Sequence, residues 1–148
     1  PIIPIKGAFM SDTTASTLGN ERKLAFRSHI WPLVFALASS WIAANFLTFR
    51  LLGVGGVLFA LLFWATQAGG AAFVRRHAAE AFNFNLSMFL YSLAFLVIWE
   101  LTDGMLFLLM LPIGGLLLAL WIFCPVIAAK AAINGNEYRY PITLHVLK

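Results

Sequence analysis

The sequence predicts an all-α fold, an integral membrane bundle of four transmembrane helices arranged as two antiparallel hairpins. Hydrophobic residues make up 61% of the 148 residues and charged residues only 11%, so the chain has too few polar groups to cover a soluble globule of this size. Four apolar stretches are each long enough to provide the ~20 residues that a helix needs to cross a bilayer. These stretches are residues 30–49, 51–74, 81–101 and 105–129.

The distribution of basic residues predicts the orientation of this bundle. Of the ten Lys and Arg residues, only Arg50 falls on the side of the two outer turns, together with Glu100 and Asp103. Because Lys and Arg accumulate in cytoplasmic loops, both termini and the middle loop are predicted to be cytoplasmic, in a bacterial inner membrane. The residues on that side are Lys6, Arg22, Lys23, Arg27, Arg75, Arg76, Lys130, Arg139 and Lys148.

Residues 1–29 are predicted to form a cytoplasmic tail followed by an amphipathic lead-in. The tail, residues 11–20, consists of small and polar residues, a composition typical of a weakly ordered segment. In the lead-in, basic residues alternate with apolar ones, which favours a helix along the inner headgroups. Pro32 is expected at the start of the first crossing, since proline is favoured in the first turn of a helix. The first residues lack the features of a signal peptide.

Residues 30–131 are predicted to form the transmembrane domain, with close helix contacts at small residues. Small side chains in register let helix backbones approach one another within a membrane. They recur at four-residue spacing as Ala36, Ser40 and Ala44 in the first crossing, and as Gly56 with Ala60 and Ala65 with Gly69 in the second. Short connections near residues 50–53 and 102–104 predict that consecutive crossings pair as hairpins.

Residues 132–148 are predicted to form a cytoplasmic C-terminal segment. Asn134 and Gly135 are expected to end the fourth helix, because both residue types tolerate a left-handed cap. The tyrosines and the arginine that follow are typical of the headgroup zone, where amphipathic rings and basic groups anchor.

A stripe of polar residues at the start of the third crossing is the first candidate site. On a helix, Arg76, Glu80, Asn83 and Ser87 fall within about 60° of one another. Exposure of this stripe to lipid would leave polar groups without partners, so it is predicted to face protein or water. One interpretation is a seam of hydrogen bonds between helices, and the other is a hydrophilic vestibule open to the cytoplasm.

The stripe is expected to meet the end of the fourth helix and form a cytoplasmic cap. Both regions lie at one depth if the third and fourth helices form a hairpin, so residues 134–141 are predicted to fold back against residues 75–83. Arg76 or Arg139 is expected to pair with Glu80 or Glu137. Tyr138 and Tyr140 are expected to stack on a guanidinium or to donate to Asn83. The predicted partner-binding or structural cluster comprises Arg76, His77, Glu80, Asn83, Ser87, Glu137, Tyr138, Arg139 and Tyr140.

No residue pattern predicts catalysis, a cofactor or a nucleic acid. The catalytic and phosphate-binding motifs GxSxG, HExxH and the P-loop are missing, and the basic residues are explained by orientation and by anionic lipid. His29, His77 and His145 are all predicted at the cytoplasmic interface, and three imidazoles at one depth suggest a metal site as a minor alternative. No acidic residue or Cys has a diagnostic spacing to them, so no metal site is predicted. The single Cys124 is expected to be a small packing residue.

Two segments resemble the paired signature of a known family. VRRHAAEAFNFNLSMFLY opens the third crossing, and AAKAAINGNEYRYPITLHVL closes the fourth. Together they resemble a family of small four-helix bacterial membrane proteins of unknown function, itself distantly similar to the twenty-kilodalton component of the chloroplast inner-envelope import translocon. Asn85 departs from the pattern, because many relatives carry glutamine there. The resemblance implies a four-helix membrane fold.

The sequence therefore favours a non-enzymatic accessory or scaffold subunit of the inner membrane. Its expected partners are the lipid bilayer and other membrane protein subunits, or a second copy of itself. The alternative is a component of a transport or protein-translocation system, which the chloroplast resemblance suggests. A pore formed by this chain alone would need a polar face across the whole membrane, and the outer half of the third crossing offers only Tyr91 and Ser92 before Glu100.

Overall fold

The protein is all-helical, with four α-helices in the part that the structure describes. This computed structural model describes residues 6–46, 53–103 and 105–147, and the side chains of residues 14–41, 53–103 and 105–147. The helices are α1 (Lys6–Phe46), α2 (Val54–Thr66), α3 (Ala72–Leu101) and α4 (Phe107–Ile133). No strand occurs within these ranges. The predicted all-α class and the number of helices are confirmed.

α1 differs from its prediction, because the tail and the first crossing form one helix of 41 residues. Residues 11–20, which were predicted to be a weakly ordered tail, lie within this helix. Adding a residue to an existing helix is far less costly than starting one, and the packed part of α1 provides that start. Pro32, which was predicted at the start of the first crossing, lies inside α1 and is buried.

α2 is shorter than predicted and is not long enough to cross a membrane by itself. It has 13 residues, about 20 Å at 1.5 Å per residue, and residues 67–70 form a turn where the prediction continued the crossing to residue 74. Gly69 and Gly70 explain the turn, because glycine disfavours helix continuation. Within the described ranges, only α3 and α4 are long and apolar enough to span a membrane. Four crossings are therefore not confirmed.

α1 packs against each of the other helices, and small residues lie at its contact with α2. A Cβ atom added to Gly56 of α2 would lie 2.7 Å from Ala36 Cβ on α1 and 2.7 Å from Asn85 Oδ1 on α3. Three helices therefore converge where no side chain fits. Ala36 and Ala60 are buried at this contact, as the spacing predicted. Ala65 and Gly69 do not continue it, since both are exposed.

The turns around α4 determine where the C-terminal segment begins. A short turn connects Leu101 to Phe107, so α3 and α4 form the predicted hairpin. At the other end, Gly135 has a φ of 77° and donates to the Ala132 carbonyl, while Asn136 donates to the Ala131 carbonyl. These bonds form a Schellman motif, in which glycine takes the left-handed position at low cost. The predicted end of the fourth helix is confirmed.

The buried core lies where α1, α3, α4 and the C-terminal segment meet. It contains Phe84 and Met88 of α3, Trp121 and Cys124 of α4, and Tyr140 of the C-terminal segment. Elsewhere α4 exposes large apolar side chains, including Leu108 at 83%. A water-soluble protein does not carry such a continuous apolar surface, so this surface supports location in a membrane.

Candidate functional site

The C-terminal segment returns to α3, and this contact forms the candidate site. After Gly135 the chain runs along α3 without forming a helix or a strand up to residue 147. We use "cap" for residues 75–83 together with residues 134–141, and "strap" for residues 141–147. The sequence indicated that the two halves of the cap are in contact, and the structure has them in contact through Arg76 with Glu137 and through Glu80 with Tyr140.

The rim of the cap is charged and exposed. Arg76 Nη2 lies 2.7 Å from Glu137 Oε1, and the two side chains are 55% and 65% exposed. Arg139 Nε donates to His145 Nε2 over 3.1 Å. The same nitrogen lies 3.5 Å from Glu80 Oε1. Such exposed contacts contribute at most about 1 kcal/mol to stability, and the rim is available for other interactions.

The polar stripe of α3 binds the backbone of the strap. Asn83 Oδ1 accepts from the amides of Val146 and Leu147 over 3.0 and 2.9 Å, and Asn83 Nδ2 donates to the Leu147 carbonyl over 2.8 Å. Ser87 Oγ accepts from the Leu144 amide over 2.8 Å and donates to the Asn83 carbonyl over 2.7 Å. Both stripe residues are fully buried. The stripe is thus a seam of hydrogen bonds, but its partner is the chain's own C-terminal backbone.

Tyr91 extends the stripe by one further turn. Its hydroxyl donates to the Ile142 carbonyl over 3.0 Å. Tyr91 is four residues beyond Ser87, so it lies on the same face of α3. The sequence contained this signal, because Tyr91 was the next polar residue at helical spacing.

A buried chain of three side chains lies beneath the cap. The Tyr140 hydroxyl is 2.9 Å from His29 Nδ1, and His29 Nε2 is 2.8 Å from His77 Nδ1. His29 belongs to α1, His77 to α3 and Tyr140 to the C-terminal segment, so these two bonds connect three parts of the fold. All three residues are buried, with exposures of 1%, 2% and 3%.

The direction of these bonds follows from what each group can donate. A buried hydroxyl hydrogen needs an acceptor, and His29 Nδ1 is within reach of the Tyr140 hydroxyl. With Tyr140 donating, His29 carries its proton on Nε2 and donates to His77 Nδ1. His77 then carries its proton on Nε2.

Burial keeps this chain uncharged. It lowers the pKa of His29 well below its usual value, and the neighbouring His77 lowers the pKa further. Burial likewise raises the pKa of Tyr140 well above its usual value, with smaller contributions from Tyr138, Cys124 and Glu80. Both groups are therefore neutral near pH 7. A neutral, hydrogen-bonded set of this kind fixes the relative positions of the segments that carry it.

The structure corrects the expected role of the tyrosines. Neither Tyr138 nor Tyr140 stacks on a guanidinium or donates to Asn83, as the sequence had indicated. Tyr140 stacks on Phe84, with ring centroids 4.2 Å apart, and Tyr138 meets Tyr140 edge to face. The partners of Tyr140 are the Phe84 ring and the His29 imidazole, and both lie in the core. The arginines of the rim stay at the surface, so Tyr140 does not reach them.

The three histidines do not form one group. His29 and His77 are adjacent, but His145 contacts Arg139 and Glu80 at the rim. Among the described residues, no three His, Cys, Asp or Glu side chains are close enough together to hold a metal ion. His29 was considered only as a metal ligand in the sequence, and its actual contacts with His77 and Tyr140 were not predicted.

Two cavities are associated with these elements. One, of about 400 Å³, lies at the cap and is lined by Arg76, His77, Glu80, Glu137 and Arg139, among others. The other, of about 620 Å³, lies between α1, α3 and α4 towards the end of α3 that carries Trp99. Its lining is mainly apolar, with Ser40, Ser92 and Glu100 as polar exceptions.

Comparison with known proteins identifies the family. No curated protein and no solved structure matches the chain. A family model does match residues 20–147, a range that includes the buried histidines, the polar stripe and the strap. The expected resemblance to a small bacterial membrane family is thereby confirmed in its general form, whereas no match supports the chloroplast translocon component. The chain belongs to the MamF/MmsF family, the magnetosome magnetite crystal formation protein family.

Proposed function

We propose that this chain is a non-enzymatic scaffold subunit of a bacterial inner membrane that binds other membrane proteins, or a second copy of itself, through the cap. The family description, magnetosome magnetite crystal formation, supports a role at a membrane. In that setting the chain would act as a membrane subunit beside the growing crystal. The polar groups of the cap hold segments of the chain together, which favours an architectural role over a catalytic one.

The observation that carries this proposal is the construction of the cap. A rigid buried set, Tyr140, His29 and His77, supports a charged surface whose members Arg76 and Glu137 remain more than half exposed. Interfaces gain affinity when a surface is ordered before its partner arrives, because less conformational entropy is lost on binding. Complementary charges then determine which partner is accepted.

Charge reversal at the rim tests this proposal. Glu137→Arg and Arg139→Glu alter exposed side chains whose contacts add little to stability, so both variants are expected to fold. Tagged full-length protein is cross-linked in native membranes, purified in mild detergent, and its cross-linked membrane proteins are quantified by mass spectrometry. A second tag on a co-expressed copy detects self-association. We expect both variants to lose the same specific partner by tenfold or more.

Lys23→Glu is the matched control, because Lys23 is an exposed basic residue of α1 outside the cap. It is expected to keep the partner. If all three variants retain the parent's partners in equal amounts, the cap is not a binding surface and the proposal is wrong.

The alternative, a component of a transport or protein-translocation system, receives less support. A pore formed by this chain would need polar side chains along the outer half of α3, where Val97 and Ile98 are exposed instead. The same cross-linking experiment separates the alternatives, because a translocation component would cross-link to polypeptides in transit, whereas a scaffold would cross-link to resident membrane subunits.

A further inference from the structure

We propose that the strap, residues 141–147, is a re-entrant segment seated in the bilayer, with its outer edge against lipid acyl chains. The sequence suggested a cytoplasmic tail here, and the family description says nothing of this segment. This inference is independent of the proposed scaffold function. It follows from the side-chain pattern of the strap, the partners of its backbone and its position along α3.

The strap exposes a row of apolar side chains. Ile142, Leu144 and Val146 are 71%, 47% and 61% exposed. Of the residues between them, Thr143 is partly buried, and His145 is exposed with its ring against Arg139 and Glu80 at the rim. A backbone group of each of these three residues is bound to α3, and the three apolar side chains lie at the outer surface of the strap. An exposed row of large apolar side chains is costly in water and is stabilised in hydrocarbon.

Backbone groups of the strap are bound by side chains of α3. Asn83, Ser87 and Tyr91 bind backbone groups of residues 142, 144, 146 and 147, as described above. Non-helical backbone occurs at membrane depth only where protein or enclosed water replaces bulk water as its partner. The buried polar stripe of α3 supplies such partners, and a tail in water would not need them.

The positions of these partners place the strap below the membrane surface. If the last ~20 residues of α3 cross the hydrocarbon, their inner boundary lies near Phe82, just beyond the charged Glu80. Tyr91 is nine residues further on, about 13 Å deeper at 1.5 Å per residue, and Ser87 is about 7 Å deeper. The strap therefore enters as far as Ile142 and returns towards Asn83 at Leu147.

The deepest point of the strap is a strained turn. Ile142 has a φ of 53°, a conformation that β-branched residues rarely adopt. It follows Pro141, and its carbonyl is bound by the Tyr91 hydroxyl. Such strain persists only where the surroundings impose it. A free tail would relax at this residue, so the turn indicates a segment that is held in place.

Depth measurements on nitroxide labels test the proposal. Single cysteines replace Ile142, Leu144 and Val146 in the full-length chain, which is reconstituted into phosphatidylcholine vesicles. Asn136, an exposed residue of the turn before the strap, is the matched control. Cys124 is buried, and labelling of the parent chain measures its contribution.

We expect the three strap labels to collide more often with oxygen, which concentrates in lipid, than with a water-soluble nickel chelate. The label at residue 136 should show the reverse. The preference for oxygen should rise from residue 146 to residue 142, opposite to the order expected of a tail that leaves the membrane. Preference for nickel at all three positions, or the absence of a gradient, would overturn the proposal.

A second measurement uses the protein without nitroxide labels, so that no label alters the position of the strap. A phospholipid with a photoactivatable group on its acyl chain is added to the vesicles and illuminated. Adducts are expected on the peptide that follows Arg139. If adducts form on α4 peptides but none on this peptide, the strap does not contact acyl chains.

Discussion

At the scale of single residues, His29 is the most informative side chain of the site. It is buried, its Nδ1 faces the Tyr140 hydroxyl and its Nε2 faces His77, so no position remains for a third partner. An imidazole in this environment is stable only when it is neutral, because burial penalises its charged form. The stability of the protein should therefore depend on pH through this residue.

The dependence has a definite sign. The pKa of His29 is lowered in the folded protein, whereas the unfolded chain titrates near the usual value of about 6.5. Below that pH the unfolded state binds a proton that the folded state does not, so stability falls as the pH falls, by up to about 1.4 kcal/mol per pH unit. We expect a lower thermal midpoint in detergent at about pH 5.5 than at about pH 7.5.

Two variants assign this effect to its residue. His29→Asn removes one titrating group and should reduce the slope of the profile even if the protein is less stable throughout; part of the slope remains, because burial also lowers the pKa of His77. Asn20→Leu, at an exposed position of α1, is the control and should keep the parent profile. Equal midpoints of the parent at both pH values would contradict the prediction.

At the scale of elements, the strap and α3 depend on each other. Asn83 makes three hydrogen bonds to the last residues of the strap and is fully buried. Helical periodicity identified the stripe, but it gave no information on which segment would bind it. Backbone groups have no side-chain signature, so a contact between a side chain and a distant backbone is not visible in the sequence.

Asn83→Leu should release the strap. The substitution removes three hydrogen bonds and leaves two strap amides without an acceptor, a loss of about 1–3 kcal/mol. We expect a lower unfolding midpoint in detergent and faster trypsin cleavage after Arg139, since the released segment is more accessible to the protease. Asn20→Leu, at an exposed position of α1, is the control and should resemble the parent. An unchanged cleavage rate in Asn83→Leu would show that Asn83 does not hold the strap.

At the scale of the whole molecule, the lengths of the helices and the positions of basic residues predict how the helices are placed in the membrane. α3 and α4 are each long enough to span it, and the short turn between them puts their other ends on one side. Arg75, Arg76 and Lys130 lie near those ends, which predicts that this side is cytoplasmic. The strap would then enter the membrane from the cytoplasmic side.

Cysteine accessibility in intact cells tests this orientation. A cysteine at Asp103, in the turn between α3 and α4, should react with an impermeant thiol reagent added outside. Cysteines at Asn20 and Asn136, both exposed in the structure, should react only after the membrane is permeabilised. Reaction at residues 20 and 136 in intact cells, with protection at residue 103, would reverse the orientation.

The sequence alone determined the helical class, the approximate position of α3 and α4, the end of α4 before Gly135 and the polar face of α3. Each of these depends on local composition or on periodicity, which a sequence displays directly. Predictions from the sequence differ from the structure at two helices. In α1, a polar segment is helical because it continues a packed helix. In α2, glycines end the helix before the apolar stretch ends.

Only the tertiary structure decided what the polar groups bind. His29 and Tyr140 are 111 residues apart, and Asn83 binds a backbone 64 residues away. Such pairs are brought together by the packing of α1, α3 and α4, and nothing in either local sequence specifies the partner. The physical reason is that hydrogen-bonding groups near a membrane must be satisfied by whatever the fold places beside them, and that neighbour is fixed by three-dimensional packing.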